Sequence, residues 1–178
     1  MALRKIATQE DPILRRKARK VEKFDARLAQ LLEDMAQTMY AANGVGLAAP
    51  QVSMLRRAVV IDTTEDRSGL LELVNPEIIE QDGEQEGPEG CLSVPDVQGF
   101  VKRPMHVKVR AQDRNGNWFE AEGEGLLARA FCHELAHLEG QLFTDIMEYE
   151  IVPEEEPSEP VKSEIDKALE EMGVVLYE

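Results

Sequence analysis

The stretch Gly125-Leu-Leu-Ala-Arg-Ala-Phe-Cys-His-Glu-Leu-Ala-His-Leu-Glu-Gly140 predicts the central element of the fold. Its pattern favours a helix over 125–139 that Gly140 ends, because glycine is common just beyond a helix C-terminus. Apolar side chains in and after this helix predict that it is buried. They are Leu126, Leu127, Phe131, Leu135, Leu138 and Phe143.

Other helices are predicted nearer the N-terminus. Asp11-Pro12 favours the start of a short helix, and Asp25 is a suitable N-cap for a longer one that ends near Ala42. The longer helix has one apolar face at helical spacing, which indicates that it packs against a core. That face consists of Leu28, Leu31, Leu32, Met35 and Met39.

Strands are predicted over 58–61, 70–74 and 106–110, with a return strand that begins at Trp118 after a hairpin turn. The acidic, glycine-containing segment 82–90 is predicted to be a loop that leads to Cys91. Strands joined by hairpins and followed by a buried helix predict an α+β fold. We expect antiparallel or mixed β-sheets packed around the central helix, with an N-terminal and a C-terminal helix.

The chain of 178 residues carries a net charge of −15 and has no apolar run near the ~20 residues that span a bilayer. Its N-terminus lacks a secretory signal, so we expect a cytoplasmic protein without a membrane partner. A surface this acidic repels nucleic acid unless a basic patch intervenes. Such a patch is present in Arg15, Arg16, Lys17, Arg19 and Lys20. We interpret it as a solvated helix face and expect no direct nucleic-acid partner.

The central helix contains His133-Glu134-Leu135-Ala136-His137, which fits the H-E-x-x-H pattern. Residues four apart project from the same helix face, so both imidazoles can reach one metal ion. Glu134 can then contact a water on the ion without binding the ion itself. The sequence therefore predicts a metal site, with two histidines on a surface helix as the alternative.

A catalytic metal needs a third protein ligand and an open position. A metzincin would have a third histidine where this chain has Phe143, and a thermolysin-like enzyme would use a glutamate within 154–159. That acidic segment is broken by proline, which makes it a poor source of a fixed ligand. Cys91 lies in a glycine-flanked turn and is the better candidate. Cys132 adjoins His133, so it points about 100° away around the helix.

Three segments together resemble the motifs of peptide deformylases. They are Gly44-Val-Gly-Leu-Ala-Ala-Pro-Gln51, Glu89-Gly-Cys-Leu-Ser93 and His133-Glu-Leu-Ala-His137, in this order. The resemblance implies a catalytic domain over 1–150. The residues of 151–178, which lie outside it, predict an acidic linker and a C-terminal helix capped by Ser163. The resemblance further implies a hydrolase that removes the formyl group from N-formylmethionine at the start of newly made polypeptides.

The resemblance also implies the parts of the site. Cys91, His133 and His137 would hold one divalent ion, with Fe(II) expected and Zn, Ni or Co as possible substitutes. Glu134 would be the general acid/base group. The Gln51 side-chain amide and the Leu92 backbone N–H would stabilise the oxyanion.

A pocket for the methionine side chain is expected beside these groups. Gly46 would let the peptide backbone lie close, and Glu89 would lie near the rim. The predicted pocket walls are Val45, Leu127, Phe131 and Cys132, although a plain core role explains these positions equally well.

Two departures from the family pattern stand out. The family usually has aspartate where this chain has Ala136, and we expect that carboxylate to pair with an arginine such as Arg103. Its loss predicts that metal binding survives while activity or stability is reduced. The tail is acidic, with eleven acidic residues and two lysines from Glu148 to Glu178, so ribosome docking through a basic C-terminal helix is doubtful. We expect a monomer. The competing hypotheses are a zinc metallopeptidase and a metal-binding protein without catalysis.

Overall fold

The computed structural model describes residues 2–153, which form two antiparallel sheets and two α-helices. The helices are α1 (Ala26–Ala41) and α2 (Leu126–Leu138). The strands are β1 (Gly46–Ala48), β2 (Ala58–Ile61), β3 (Leu71–Asp82), β4 (Gln85–Cys91), β5 (Val94–Arg103), β6 (His106–Gln112), β7 (Trp118–Glu124) and β8 (Tyr149–Glu150). The predicted α+β class is confirmed.

The larger sheet lies between the two helices. Its strand order is β1-β2-β3-β6-β7, and every neighbouring pair is antiparallel. The four residues of β2 are all buried because they alternate between two cores. Val59 and Ile61 pack in the core with α2, whereas Ala58 and Val60 pack in the core with α1.

The predicted N-cap of α1 is confirmed. The Asp25 carboxylate accepts hydrogen bonds from the backbone N–H groups of Arg27 and Leu28. These bonds satisfy two of the amide groups that a helix start leaves unpaired. The short predicted helix after Asp11 is a single 3₁₀ turn, Pro12–Arg15.

The smaller sheet, with the order β4-β5-β8, was missed by the sequence analysis. The predicted loop over 82–90 is wrong, because most of it forms β4. Its glycines and its proline are not typical of a strand, and β4 forms because it pairs with β5. The pairing runs from Gln85 opposite Arg103 to Gly90 opposite Gln98. Pro88 is tolerated because β4 is an edge strand.

Helix α2 is buried along most of its length and places polar side chains in the interior. Arg129, His133, Glu134 and His137 are all buried. Buried polar groups need partners, so this cluster marks the region where chemistry is expected. None of the helices within residues 2–153 is both long and apolar enough to cross a bilayer. The predicted helix capped by Ser163 lies outside the described residues.

Candidate metal centre

Three separate elements bring the candidate site together. Helix α2 carries His133, Glu134 and His137 on adjoining faces, and Cys91 is the last residue of β4. Gln51 lies in the 3₁₀ turn Ala49–Val52 that follows β1. A cavity of about 520 Å³ opens beside these residues. The sites of the three sequence motifs therefore meet at one place.

Cys91, His133 and His137 form a compact set of potential metal ligands. One ligand atom from each lies within 4.8 Å of the others, and the Sγ of Cys91 is 3.4 Å from the Nε2 of His137. The two imidazole rings are 5.1 Å apart between centroids. A thiolate with two imidazoles suits divalent transition metals of borderline softness. The donor set fits a cation, as predicted.

Glu89 fixes the orientation of His133. Its Oε2 lies 2.9 Å from the Nδ1 of His133, and because a carboxylate only accepts, Nδ1 must be the donor. The Nε2 of that ring faces away from Glu89 and can bind a metal once its own proton has left. Arg103 and Arg129 bind the other side of the same carboxylate, at 2.8 and 3.0 Å. A ligand histidine held by a carboxylate is a frequent arrangement at metal sites.

The charges around Glu89 shift its pKa strongly. Burial raises the pKa of this carboxyl, but hydrogen bonds from His133 and Arg103 outweigh burial and lower the pKa to about 2. Glu89 is therefore ionised at every physiological pH. It balances two buried guanidinium groups, those of Arg103 and Arg129.

The pKa values of the two histidines shift in opposite directions. Burial lowers the pKa of His133, but its contacts with Cys91 and Glu89 and the charge of Glu134 raise it to about 10. At His137 burial and the charge of His133 lower the pKa to about 3. A metal ligand must be unprotonated, so a cation has to displace a proton from His133.

Glu134 is fully enclosed next to this ligand set. Its Oε2 and the Nδ1 of His137 are buried without a hydrogen-bond partner among the described residues. Burial raises the pKa of Glu134 to about 7, although the charge of His133 opposes the shift. A buried carboxyl that gains and loses a proton near neutral pH can act as an acid and as a base.

The side chain of Glu134 leaves no room for a Cβ at position 46, so Gly46 does more than let a peptide lie close. A Cβ at position 46 would lie 2.7 Å from the Cδ and 2.8 Å from the Cγ of Glu134, closer than real Cβ contacts. From the sequence we expected this glycine to let the backbone of a substrate lie close. In the structure the carboxylate of Glu134 already fills the space next to it.

Gln51 is buried and held by three contacts. Its Oε1 accepts from the Ala48 N–H at 2.9 Å, and its Nε2 donates to the Oγ of Ser93 at 3.0 Å. The same nitrogen is 3.5 Å from the Sγ of Cys91. Leu92 and Ser93 form the tight turn between β4 and β5. Gln51 and Leu92 therefore both lie beside the thiol, and Ser93 is a contact that the sequence analysis missed.

The predicted pocket residues lie in two different places. Val45, Gly46 and Glu89 line the cavity as expected, but Leu127, Phe131 and Cys132 lie in the core between α2 and the larger sheet. The residues of α2 that do line the cavity are Leu126, Arg129, Ala130, His133 and Glu134. They follow the spacing of one helix face, so the predicted wall was placed on the wrong side of α2.

From the sequence we did not predict Arg129 as a residue of the site, and we expected Arg103 to bind a different partner. Arg103 binds Glu89 through its Nε and one Nη, whereas from the sequence we expected it to pair with a carboxylate at position 136. Arg129 donates to both Glu89 and the Val101 carbonyl. Its signal in the sequence is a charged residue one turn before His133 in an otherwise apolar helix.

Comparisons with known proteins agree with this geometry. A sequence model of the family described as polypeptide deformylase matches residues 3–150. A peptide deformylase of Caldicellulosiruptor bescii is 64% identical over 145 residues, which cover 82% of this chain and 86% of the relative. One of Caldanaerobacter subterraneus is 60% identical over 145 residues, which cover 82% of this chain and 89% of the relative.

Solved structures give the same result. A peptide deformylase from Legionella pneumophila has a TM-score of 0.80 and 47% identity, covering 85% of this chain and 88% of that one. One from Thermotoga maritima has a TM-score of 0.80 and 40% identity, covering 84% of this chain and all of that one.

Proposed function

The chain belongs to the polypeptide deformylase family, whose members remove the N-formyl group from newly made polypeptides, and we propose a mechanism in which Glu134 is its acid/base group. Family membership replaces the alternative of a zinc metallopeptidase. The carboxylate ligand that such a peptidase would need, within 154–159, lies outside the described residues. The observation that carries the mechanism is the buried Glu134 carboxyl beside three converging ligand atoms.

Cys91, His133 and His137 would hold the metal of this family. We expect Fe(II), with Zn, Ni or Co as substitutes, because a Cys/His/His set accepts all of these borderline ions. Glu89 would keep His133 in the tautomer that binds metal, and the arginines behind Glu89 would keep that carboxylate ionised. When bound, the cation supplies Lewis-acid polarisation and makes a water molecule acidic near neutral pH.

Proton transfer is assigned to Glu134. With a pKa of about 7, its carboxylate takes the proton from water as the water adds to the formyl carbon. The same group then returns the proton to the amine nitrogen that leaves. Its burial keeps other proton donors away from the reacting atoms. The products are formate and a free N-terminal amine.

The charge that develops on the formyl oxygen needs donors. The Gln51 amide and the Leu92 backbone N–H are the assigned groups, since both lie next to Cys91. Gln51 is held from both ends before any substrate binds, which reduces the reorganisation needed during the reaction.

The substrate side chain would enter the cavity of about 520 Å³. Val45 of the predicted wall lines this cavity, and we propose Leu126 and Ala130 in place of the predicted residues that lie in the core. The unbranched methionine side chain suits an apolar wall of this kind. We also expect the enzyme to act in the cytoplasm as a monomer, without ribosome docking through its acidic tail.

The test is formate release from a formyl-Met peptide after anaerobic purification, with the metal content measured on the same sample. Glu134→Gln keeps the shape of the side chain but cannot carry a proton, so we expect a loss of about 10²–10⁴-fold with the metal retained. Activity of that variant within tenfold of the parent would contradict the assignment of Glu134.

A further inference from the structure

A second groove, which shares no lining residue with the catalytic cavity, crosses the N-terminal part of the molecule. It has a volume of about 700 Å³ and lies between the segment 16–27 and the turn 53–56. Backbone hydrogen bonds hold these two segments together. The Arg19 N–H donates to the Leu55 carbonyl, and the Arg57 N–H donates to the Arg19 carbonyl, both at 2.9 Å. The groove therefore has a fixed backbone frame.

The lining of this groove is strongly basic. Its six basic residues are Arg16, Arg19, Lys20, Lys23, Arg27 and Arg56, against the two acidic residues Glu22 and Asp25. The Asp25 carboxylate is already engaged, because it caps α1. This concentration of positive charge is unusual on a chain with a net charge of −15.

The groove cations also differ from their neighbours in having no ion-pair partner. Within residues 2–153 none of the six basic groove residues has a carboxylate within 4.0 Å. Just outside the groove, Arg15 binds Asp145 at 2.6 Å and Arg57 binds Glu139 at 2.7 Å. The surrounding arginines are thus paired, whereas in the described part of the chain the groove cations make no close ion pair, and Arg27 and Arg56 interact with the charge of Asp25 only at longer range.

From the sequence we interpreted part of this patch as the solvated face of a helix; its residues are exposed, but the predicted helix is wrong. The 3₁₀ turn ends at Arg15, and the residues after it run without helix into a bridge between Arg19 and Arg56. Basic residues from two separate segments therefore line one concave surface. A concave surface with one sign of charge concentrates counter-ions more than a convex one does.

We propose that this groove binds the phosphate backbone of single-stranded RNA. Guanidinium groups, which make up four of the six cations, bind phosphate through paired hydrogen bonds. Two half-buried apolar side chains of the lining, Ile13 and Leu55, offer contact to ribose and base surfaces. The repulsion from the acidic remainder of the protein is screened beyond about 8 Å at physiological salt.

RNA is favoured over an acidic polypeptide by where the enzyme works. The choice of RNA rests on the proposed function in one respect: the substrate is a newly made polypeptide, and such polypeptides emerge beside RNA. An anionic backbone bound in the groove would hold the enzyme near its substrates without touching the catalytic cavity. Carboxylate side chains would pair with the cations but would leave the apolar parts of the groove uncovered.

The test measures binding of a fluorescein-labelled 20-nucleotide single-stranded RNA to the full-length protein by anisotropy, from 50 to 250 mM KCl. We expect saturable binding that weakens steeply with salt. The groove variant R16Q/K23Q should bind about tenfold or more weakly at 50 mM KCl, with the log–log salt slope reduced by about 1.4. The matched control K5Q/R110Q removes the same charges from exposed positions outside the groove and should change affinity less than twofold.

Three results would overturn the proposal. They are no saturable RNA binding at 50 mM KCl, equal losses in the groove and control variants, and groove-dependent binding of a labelled acidic peptide with the sequence of residues 154–171 but not of RNA. Formate release from a short formyl-Met peptide is measured in parallel for all proteins. It should stay within twofold in both variants, so a failure of the RNA proposal is distinct from a failure of the proposed function.

Discussion

At the scale of single residues, Glu89 connects the chemistry of the site to its stability. Its carboxylate neutralises two guanidinium groups whose side chains are no more than 9% exposed, and it also holds His133. Removing one member of a buried charge cluster leaves the others without compensation. Glu89 is therefore a position where one substitution affects both metal binding and folding.

We expect Glu89→Gln to destabilise the metal-free protein by about 3–5 kcal/mol at pH 7. The folded-state pKa of about 2 lies below the ordinary value of 4.5, so the folded state holds this proton less tightly than the unfolded state does. The stabilisation from Glu89 is fully present above about pH 4.5 and is lost as the pH falls towards 2. Urea unfolding at pH 7, 4.5 and 3 should show the difference between variant and parent shrinking with acid.

The control for this experiment is Glu65→Gln, because Glu65 is exposed in the loop between β2 and β3. It should leave the stability unchanged at each pH. A difference between Glu89→Gln and the parent that stays constant from pH 7 to 3 would show that the Glu89 charge is not the source of the stabilisation.

Ala136 gives a second residue-scale prediction. The Glu89 carboxylate still binds His133 in this chain. We therefore expect the alanine at position 136, in place of aspartate, to have weakened activity or stability only moderately. Ala136→Asp should raise one of the two, with a gain in kcat/KM of no more than about tenfold. Ala136→Asn, which has the same shape without the charge, is the control. An aspartate variant that is neither more active nor more stable than the parent would refute the hypothesis.

At the scale of elements, the close approach of β1 to α2 determines where the Glu134 carboxylate lies. Strand β1 passes the helix at Gly46, and a Cβ there would overlap with the side chain of Glu134. A larger residue at position 46 would therefore move the Glu134 carboxylate. Such a shift matters because a misplacement of about 1 Å can cost about 100-fold in rate.

Gly46→Ala is therefore expected to push the Glu134 carboxylate aside and to reduce formate release by about 100-fold. The fold and the metal content should be retained, as measured by circular dichroism and elemental analysis. Formate release by Gly46→Ala within tenfold of the parent, with the metal retained, would contradict this account of Gly46.

At the scale of the whole molecule, the ligand set joins the two sheets. Cys91 belongs to the smaller sheet, whereas α2 packs against the larger one. A cation held by all three ligands would therefore add a link between two layers that Glu89 already connects through its contacts with Arg129 and His133. Binding that is specific to the folded state raises its stability.

Metal removal should show this link. At a free metal concentration about 1,000-fold above Kd, chelation is expected to lower Tm by about 8–16 °C. Cys91→Ala should lose its metal and no longer respond to the chelator, whereas Cys132→Ala should respond like the parent. A Cys91→Ala protein that keeps its metal would show that another residue supplies the third ligand.

The sequence by itself determined both described helices, the α+β class and the three residues that converge as a candidate metal site. The helices and the two histidines depend on local spacing, because helical periodicity and the i, i+4 relation place side chains without reference to the rest of the chain. Cys91 was indicated by its glycine-flanked turn and by the resemblance. The order of the three motifs was sufficient to indicate the family.

Only the tertiary structure decided the features that depend on distant partners. Strand β4 exists through pairing with β5, and the true cavity wall on α2 follows from which face the larger sheet covers. Likewise, the side chain of Glu134 explains why position 46 is glycine, and Arg129 binds Glu89, which lies forty residues away in the sequence. Their energies come from contacts between residues far apart in the chain, which no local pattern records.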